Sequence, residues 1–261
     1  MKPACFAKCR KNATIEEKDK TDGREILFRV ILVCMMLLAG YFAVRGGQRM
    51  VLSSQIQPPG KSRYCVVIDA GHGGMDPGKI SVDGSLEKDI NLQIVKKLQK
   101  FLEMEDVEVI LTRDSDSGLY DEHASNKKVQ DMKNRVGVIE KSTPDLTVSI
   151  HQNSYHEEYV HGAQTFYYQS STNSKELAEK IQDRMIFGLD PDNTRQAKPN
   201  DSYYLLKKTS SPIVIVECGF LSNYEEAQKL ASDYYQEKTA WAIHLGIMQY
   251  LNSMADNKGN Q

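Results

Sequence analysis

Three short stretches of the chain each end an apolar run with a group that can bind a metal or move a proton: VVIDAGHGG with His72, DLTVSIHQNS with His151 and PIVIVECGF with Glu217. A fourth group, the acid Glu87, opens the segment LEKDINLQ. Two imidazoles and a carboxylate can hold a zinc ion with one coordination position left open, and a second carboxylate can take a proton from water. That inventory points to metal-assisted hydrolysis.

Each residue also has a plainer reading. His72 and His151 could each be a hydrogen-bonded structural histidine. Their position just beyond apolar strands is nevertheless where open α/β sheets place their sites, and the glycines around His72 let a backbone approach a ligand closely. Glu87 alone reads as an acid favoured at a helix start by the macrodipole. Glu217 is harder to dismiss, because a charge closing the buried run IVIV needs a partner. Asp69 is a candidate for orienting His72, and Asp76 reads as a turn former before Pro77. Asn153, Arg113 and Arg135 are candidates for holding substrate, with salt bridges as the alternative for the two arginines. His123, His156, His161 and His244 read as bystanders in loops or beside an apolar helix stripe.

Positioning these groups requires a sheet. From residue 64 onward apolar runs alternate with helical patterns, which predicts strands near 65–70, 107–111, 146–151, 163–168, 203–206 and 213–217 with helices on the sheet faces. YCVVIDA and IVIVE are apolar almost throughout, as strands buried on both faces are. Helical stripes run through Ile90, Ile94, Leu98 and Leu102; through Met132, Val136 and Ile139; and through Leu177, Ile181 and Met185. A last one, Ala240, Ile243, Ile247 and Leu251, belongs to a helix over about 235–254. The polar stretch 113–129 reads as a functional surface loop or a mobile insertion.

The whole chain has 261 residues, 40% of them apolar, enough for a substantial core. Its first 29 residues hold eight of the 33 basic and five of the 35 acidic residues, which leaves 25 and 30 beyond them, a net charge of −5. Such a surface argues against nucleic acid as a partner. Residues 30–44 carry no charge and approach the ~20 residues a bilayer core requires once 26–28 are added. A basic flank before an apolar run predicts a cytoplasmic 1–29, a signal anchor or signal-peptide core at 30–44, a linker at 45–63 and an exported domain at 64–254, followed by a flexible tail at 255–261. Cys65 and Cys218 lie in apolar runs and read as buried free thiols.

The segments IDAGHGGMDPG, LEKDINLQ, VSIHQNS, GAQTFYY and VECGFLSN, in this order, resemble the zinc-dependent N-acetylmuramoyl-L-alanine amidases of bacterial cell-wall metabolism. The resemblance covers residues 64–251 and implies a single α/β domain with a six-stranded mixed sheet flanked by helices. It also implies zinc held by His72, Glu87 and His151, with Glu217 as the catalytic acid and base and peptidoglycan as substrate. KKVQDMKNRVGVIEKS and NTRQAKPNDSYYLLKK are similar to the spore-cortex, germination-specific branch, whose members strip stem peptides so that muramic-δ-lactam can form. That branch would place the enzyme outside the cytoplasmic membrane, between mother cell and forespore. Gln152 and Cys218 depart from the commoner family pattern beside the site. The alternatives are a vegetative wall-turnover amidase, a zinc peptidase, and a wall-binding zinc module that is inactive or depends on a regulatory protein partner.

Overall fold

The computed structural model describes residues 30–38, 41 and 64–259. Residues 30–38 are helical with every side chain exposed. The remainder of the expected basic flank, anchor and linker, and residues 260 and 261, lie outside the described residues. Among the described residues no helix is long and apolar enough to cross a membrane.

Residues 64–259 build one six-stranded sheet. Its strands are β1 (Cys65–Ala70), β2 (Glu108–Leu111), β3 (Leu146–Asn153), β4 (Gln164–Tyr167), β5 (Lys198–Pro199) and β6 (Ile213–Phe220). They lie in the order β2-β1-β3-β6-β4-β5, with β4 and β6 antiparallel and every other pairing parallel. The helices are α1 (Glu87–Glu103), α2 (Lys127–Ser142), α3 (Thr172–Leu189), α4 (Tyr204–Lys208), α5 (Tyr224–Ala231) and α6 (Asp233–Gly259).

The period-2 alternation of strand side chains divides the central strands between two unlike faces. Val66, Ile68 and Ala70, Leu146, Val148 and Ile150, and Val214, Val216 and Cys218 all join the larger core, under α1, α3 and α6. The alternate residues face α2 and α4, where Val67, Ile213 and Ile215 pack with Ile139, Leu205 and Leu206. That second face also carries the polar residues of the same strands, namely Asp69, Thr147, Ser149, His151 and Glu217. Three of the four expected stripes are core, with Ile94, Leu98, Leu102, Leu177, Ile181, Ala240, Ile243, Ile247 and Leu251 each fully buried; of the fourth, Ile139 is fully buried while Met132 and Val136 are half-buried against the second face.

Two expectations fail. Residues 203–206 are not a strand, because Asn200 Oδ1 accepts hydrogen bonds from the backbone N–H of Ser202 and Tyr203 and turns the chain into α4. Adjacent Leu205 and Leu206 are both buried in this short helix. The sixth strand is the two-residue β5, paired with β4. Nor does the chain leave its last helix at residue 254, since α6 continues through 255–259.

Candidate active site

Parallel pairing of β1, β3 and β6 brings their carboxyl ends to one edge of the sheet. Ala70 pairs with Ile150, and His151 pairs directly with Glu217 on the neighbouring strand. Just beyond this pairing the register shifts by one residue, His151↔Glu217 being followed by Asn153↔Phe220, so β6 bulges at Cys218-Gly219. The chain leaves β1 through Gly71 into His72, whose φ of 62° is left-handed and rare for a residue with a side chain.

Two buried arginines hold that loop. Arg135 donates from Nη1 to the Ala70 carbonyl at 2.7 Å and from Nη2 to the His72 carbonyl at 2.6 Å. Arg113 donates to the carbonyls of Ala70, Gly71 and Lys88 at 2.8–3.0 Å. With 1% and 4% of their surfaces exposed, Arg135 and Arg113 spend these donors on the fold. Both clamp the loop through its backbone carbonyls, and Arg135 also borders the cavity over the site. The charge of Arg135 is compensated by two acids: its Nη1 stands 2.6 Å from Asp69 Oδ1 and its Nε stands 2.6 Å from Asp131 Oδ2. Burial opposes ionisation of Asp69, yet Arg135 and the hydroxyls of Ser149 and Thr112 outweigh it and bring its pKa down to about 2.

Asp69 therefore does not orient His72. Asp76 does, with its Oδ2 2.9 Å from His72 Nδ1, while its Oδ1 accepts the Gly78 N–H in the turn expected of it. This leaves His72 Nε2 facing Glu87 Oε1 at 3.2 Å, and His151 Nδ1 faces the same oxygen at 3.1 Å. Glu87 begins α1 after an N-cap, Leu86, that offers no side-chain hydrogen bond. Its oxygens are tied to the fold by the backbone N–H of Lys79 and Gln152 and by the Asn91 amide. Although burial disfavours its charge, hydrogen bonds with His151 and His72 hold its pKa well below the usual carboxylate range. The Gln152 side chain donates to Asn91 Oδ1, so this departure from the commoner family pattern braces the residue that braces Glu87.

Among the described residues, His72, Glu87 and His151 form the group of metal-capable side chains, with ligand atoms all within 4.8 Å of one another. Ligand atoms bonded to one tetrahedral ion at about 2.0–2.2 Å stand roughly 3.3–3.5 Å apart, so the two histidine–glutamate separations of 3.1 and 3.2 Å need only a few tenths of an ångström of outward adjustment, and the two histidines' ligand nitrogens lie within 4.8 Å of each other. The donor set of two imidazoles and one carboxylate, with an acid fixing the second nitrogen of one ring, suits a metal centre with an open position.

Glu217 is 6% exposed. Burial pushes its pKa up, an effect reinforced by Glu87 and opposed by His151, Tyr203 and His72. Its Oε1 accepts the Tyr203 hydroxyl at 3.2 Å, whereas Oε2 has no hydrogen-bond partner among the described residues. A cavity of about 390 Å³ opens over the group, bounded by His72, His151, Glu217, Tyr203, Tyr120 and Lys128. The 113–129 stretch is packed against the His72 loop rather than standing apart: Asp116 accepts the Gly74 N–H and Tyr120 Oη the Met75 N–H. Asn153 accepts the Ser154 N–H with its own side chain and does not bound the cavity. Tyr203 was missed in the sequence because YYLL read as strand. Its one available signal was the turn-forming NDS before it.

Of the expected bystanders, His123, His156 and His161 are exposed, while His244 is 3% exposed and wedged between Phe101 and Trp241. Cys65 and Cys218 are both free thiols, as expected, but only Cys218 is buried and Cys65 is half-buried.

The sequence profile of N-acetylmuramoyl-L-alanine amidases matches residues 66–249. The germination-specific N-acetylmuramoyl-L-alanine amidase of Bacillus subtilis is 36% identical over 195 residues, covering 73% of this chain and 81% of that protein. Among solved structures, the CwlD amidase of Clostridioides difficile, determined in complex with the GerS lipoprotein, is 44% identical with a TM-score of 0.71, covering 73% of this chain and 100% of that one. The amidase AmiC2 of Nostoc punctiforme is 35% identical with a TM-score of 0.65, covering 74% and 99%. The match takes in all six strands and all four residues at their carboxyl edge, and the chain belongs to the N-acetylmuramoyl-L-alanine amidase family.

Proposed function

We propose that this peptidoglycan amidase works with zinc held by His72, Glu87 and His151, that Glu217 is its general base and acid, and that it strips stem peptides from spore cortex. The bond cut joins the lactyl carboxyl of N-acetylmuramic acid to L-alanine. Zinc, when bound, supplies a Lewis acid and lowers the pKa of water. The protein does the rest. Asp76 fixes which nitrogen His72 presents, the backbone N–H of Lys79 and Gln152 fix Glu87, and the sheet register sets Glu217 beside His151. Glu217 Oε2 takes a proton from the attacking water and returns it to the leaving nitrogen as the C–N bond breaks, so no covalent intermediate with the protein forms.

The single observation that carries this reading is the unpartnered, buried Oε2 of Glu217 beside a two-histidine, one-glutamate cluster. The test compares the wild type with Glu217→Gln on purified peptidoglycan. Peptide release should fall by about 10²–10⁴-fold while zinc per chain stays the same. Release at the wild-type rate would refute the role. Undiminished zinc in a folded His72→Ala, His151→Ala double variant would refute the ligands.

The cortex role rests on similarity to a germination-specific relative and to CwlD. It places the domain outside the cytoplasmic membrane behind an anchor at 30–44. That CwlD was solved with a lipoprotein supports a protein partner for this chain as well. Spores of a strain lacking the gene should contain no muramic-δ-lactam by muropeptide mass spectrometry. Normal lactam with a defect in growing cells would instead assign the enzyme to vegetative wall turnover.

A further inference from the structure

Among the described residues, Tyr203 is the side chain that hydrogen-bonds to Glu217. It stands at the N-cap of α4 in extended backbone, with its own N–H and that of Ser202 both held by Asn200 Oδ1. Asn200 is fixed in turn by donating its N–H to the Tyr167 carbonyl at 2.8 Å, at the end of β4. The phenol ring packs edge-on against Phe166 of β4, with ring centroids 5.7 Å apart and planes 86° from parallel. Backbone and ring are therefore both located by the strand next to β6, and the hydroxyl arrives 3.2 Å from Oε1. Burial first, and Glu217 second, push the phenol's pKa up, so at neutral pH the hydroxyl keeps its proton and donates.

A glutamate carboxylate rotates about its last bond in a broad, twofold well, so its two oxygens interchange unless something tells them apart. Here one oxygen accepts a hydrogen bond and the other has none among the described residues. We infer that Tyr203 is a positioning residue for Glu217: by holding Oε1 it stops rotation of the carboxylate and leaves Oε2, the oxygen without a partner, as the one that moves the proton. The proton path is that of the proposed mechanism, from water to Oε2 and from Oε2 to the departing amide nitrogen, and the tyrosine proton is never transferred. The inference rests on Glu217 being the base. It adds that the base is functional only in one rotational setting, and that this setting comes from a residue on a different element.

The test uses the full-length protein on purified peptidoglycan, with kcat, KM, zinc per chain and thermal unfolding measured for each variant. Tyr203→Phe keeps the ring and removes only the hydroxyl. The expected result is a fall in kcat of roughly 10–100-fold, as a misaimed catalytic group gives, with KM within about twofold and zinc unchanged. In a Glu217→Asp background, whose shorter carboxylate no longer reaches the hydroxyl, the same change should add less than about twofold. An unchanged kcat in Tyr203→Phe overturns the inference, as does a rise in KM with kcat intact. An equal loss in both backgrounds overturns it too, since the hydroxyl would then act on substrate. If Tyr203→Phe loses its fold, Phe166→Leu provides the alternative, loosening the ring but leaving the hydroxyl. There kcat should fall with KM held, and an unchanged kcat in the folded variant is contrary to the inference. Wild-type activity in Glu217→Gln would instead remove the base itself, an outcome distinct from all of these.

Discussion

At Gly71 the backbone lies directly against the imidazole of His151, and a β-carbon there would stand 2.3 Å from Cε1 and 2.4 Å from Nε2. This glycine is required by its neighbour in space rather than by its own torsion angles. Gly71→Ala must push the ring off the metal cluster or part β1 from β3, and the ring is the softer of the two. The variant should retain its fold by circular dichroism, lose most of its zinc, and drop in activity by about 100-fold. Full zinc content and activity would show that the ring has room to move. At Asp76 the consequence is gentler. Asp76→Asn keeps the turn to Gly78 and weakens the hold on His72 Nδ1. Chelator competition should show zinc bound roughly 10–100-fold less tightly, with kcat at saturating zinc closer to wild type, and an unchanged affinity would deny Asp76 its orienting role. The four chemical residues were legible because each closes an apolar run or opens a helix. Asp76 was not, because DPG spells a turn and gives no sign that the second carboxylate oxygen holds a histidine. Asp69 misled for the opposite reason: nearness in sequence suggested His72, but strand alternation turns its side chain to α2, where Arg135 meets it.

Among the elements, β1, β3 and β6 announced themselves by runs too apolar for a half-exposed strand, and the longer helices by their stripes. The 203–206 segment did not, because four apolar residues fit a strand or a helical turn equally well and only Asn200 decides between them. That error concealed Tyr203. The clamp between β1 and α2 was also hidden, since nothing in the sequence shows that Arg135 and Asp69 pair across 66 residues. Its energetic signature is measurable. The folded pKa of Asp69 is about 2, against about 3.9 in an unfolded chain, so the folded value is the depressed one. Its contribution is therefore fully present above about pH 4 and disappears as pH falls towards 2. It amounts to roughly 2–3 kcal/mol, because folding binds the anion in preference to the acid. Urea unfolding at pH 7 and pH 3 should show the wild type losing more stability on acidification than Asp69→Asn, in which the other carboxylates titrate as before. Equal losses would mean that Asp69 is not held as an anion. Arg135→Met strands a buried aspartate beneath the His72 loop, and the expected cost is about 3–5 kcal/mol at pH 7.

For the whole molecule, the proposed place outside the cytoplasmic membrane rests on residues 26–44. A helix of 15 residues, the length of 30–44, measures about 22 Å, short of a hydrocarbon core of about 30 Å. A helix of 19 residues, the length of 26–44, measures about 28 Å. The exposed apolar side chains at 30–38, among them Met35, Met36, Leu37 and Leu38, are consistent with a lipid-facing surface. The proposed anchor makes the full-length chain sediment with membranes, stay there in high salt and come off in detergent. Met35 lies near the middle of 26–44, where an arginine costs roughly 2.5–3.5 kcal/mol of insertion free energy. Met35→Arg should therefore shift a large share of the chain into the soluble fraction without altering its specific activity on isolated peptidoglycan, because the four site residues all lie beyond residue 64. A wild-type chain found wholly in the supernatant after cell disruption would refute the anchor and leave the amidase site untouched.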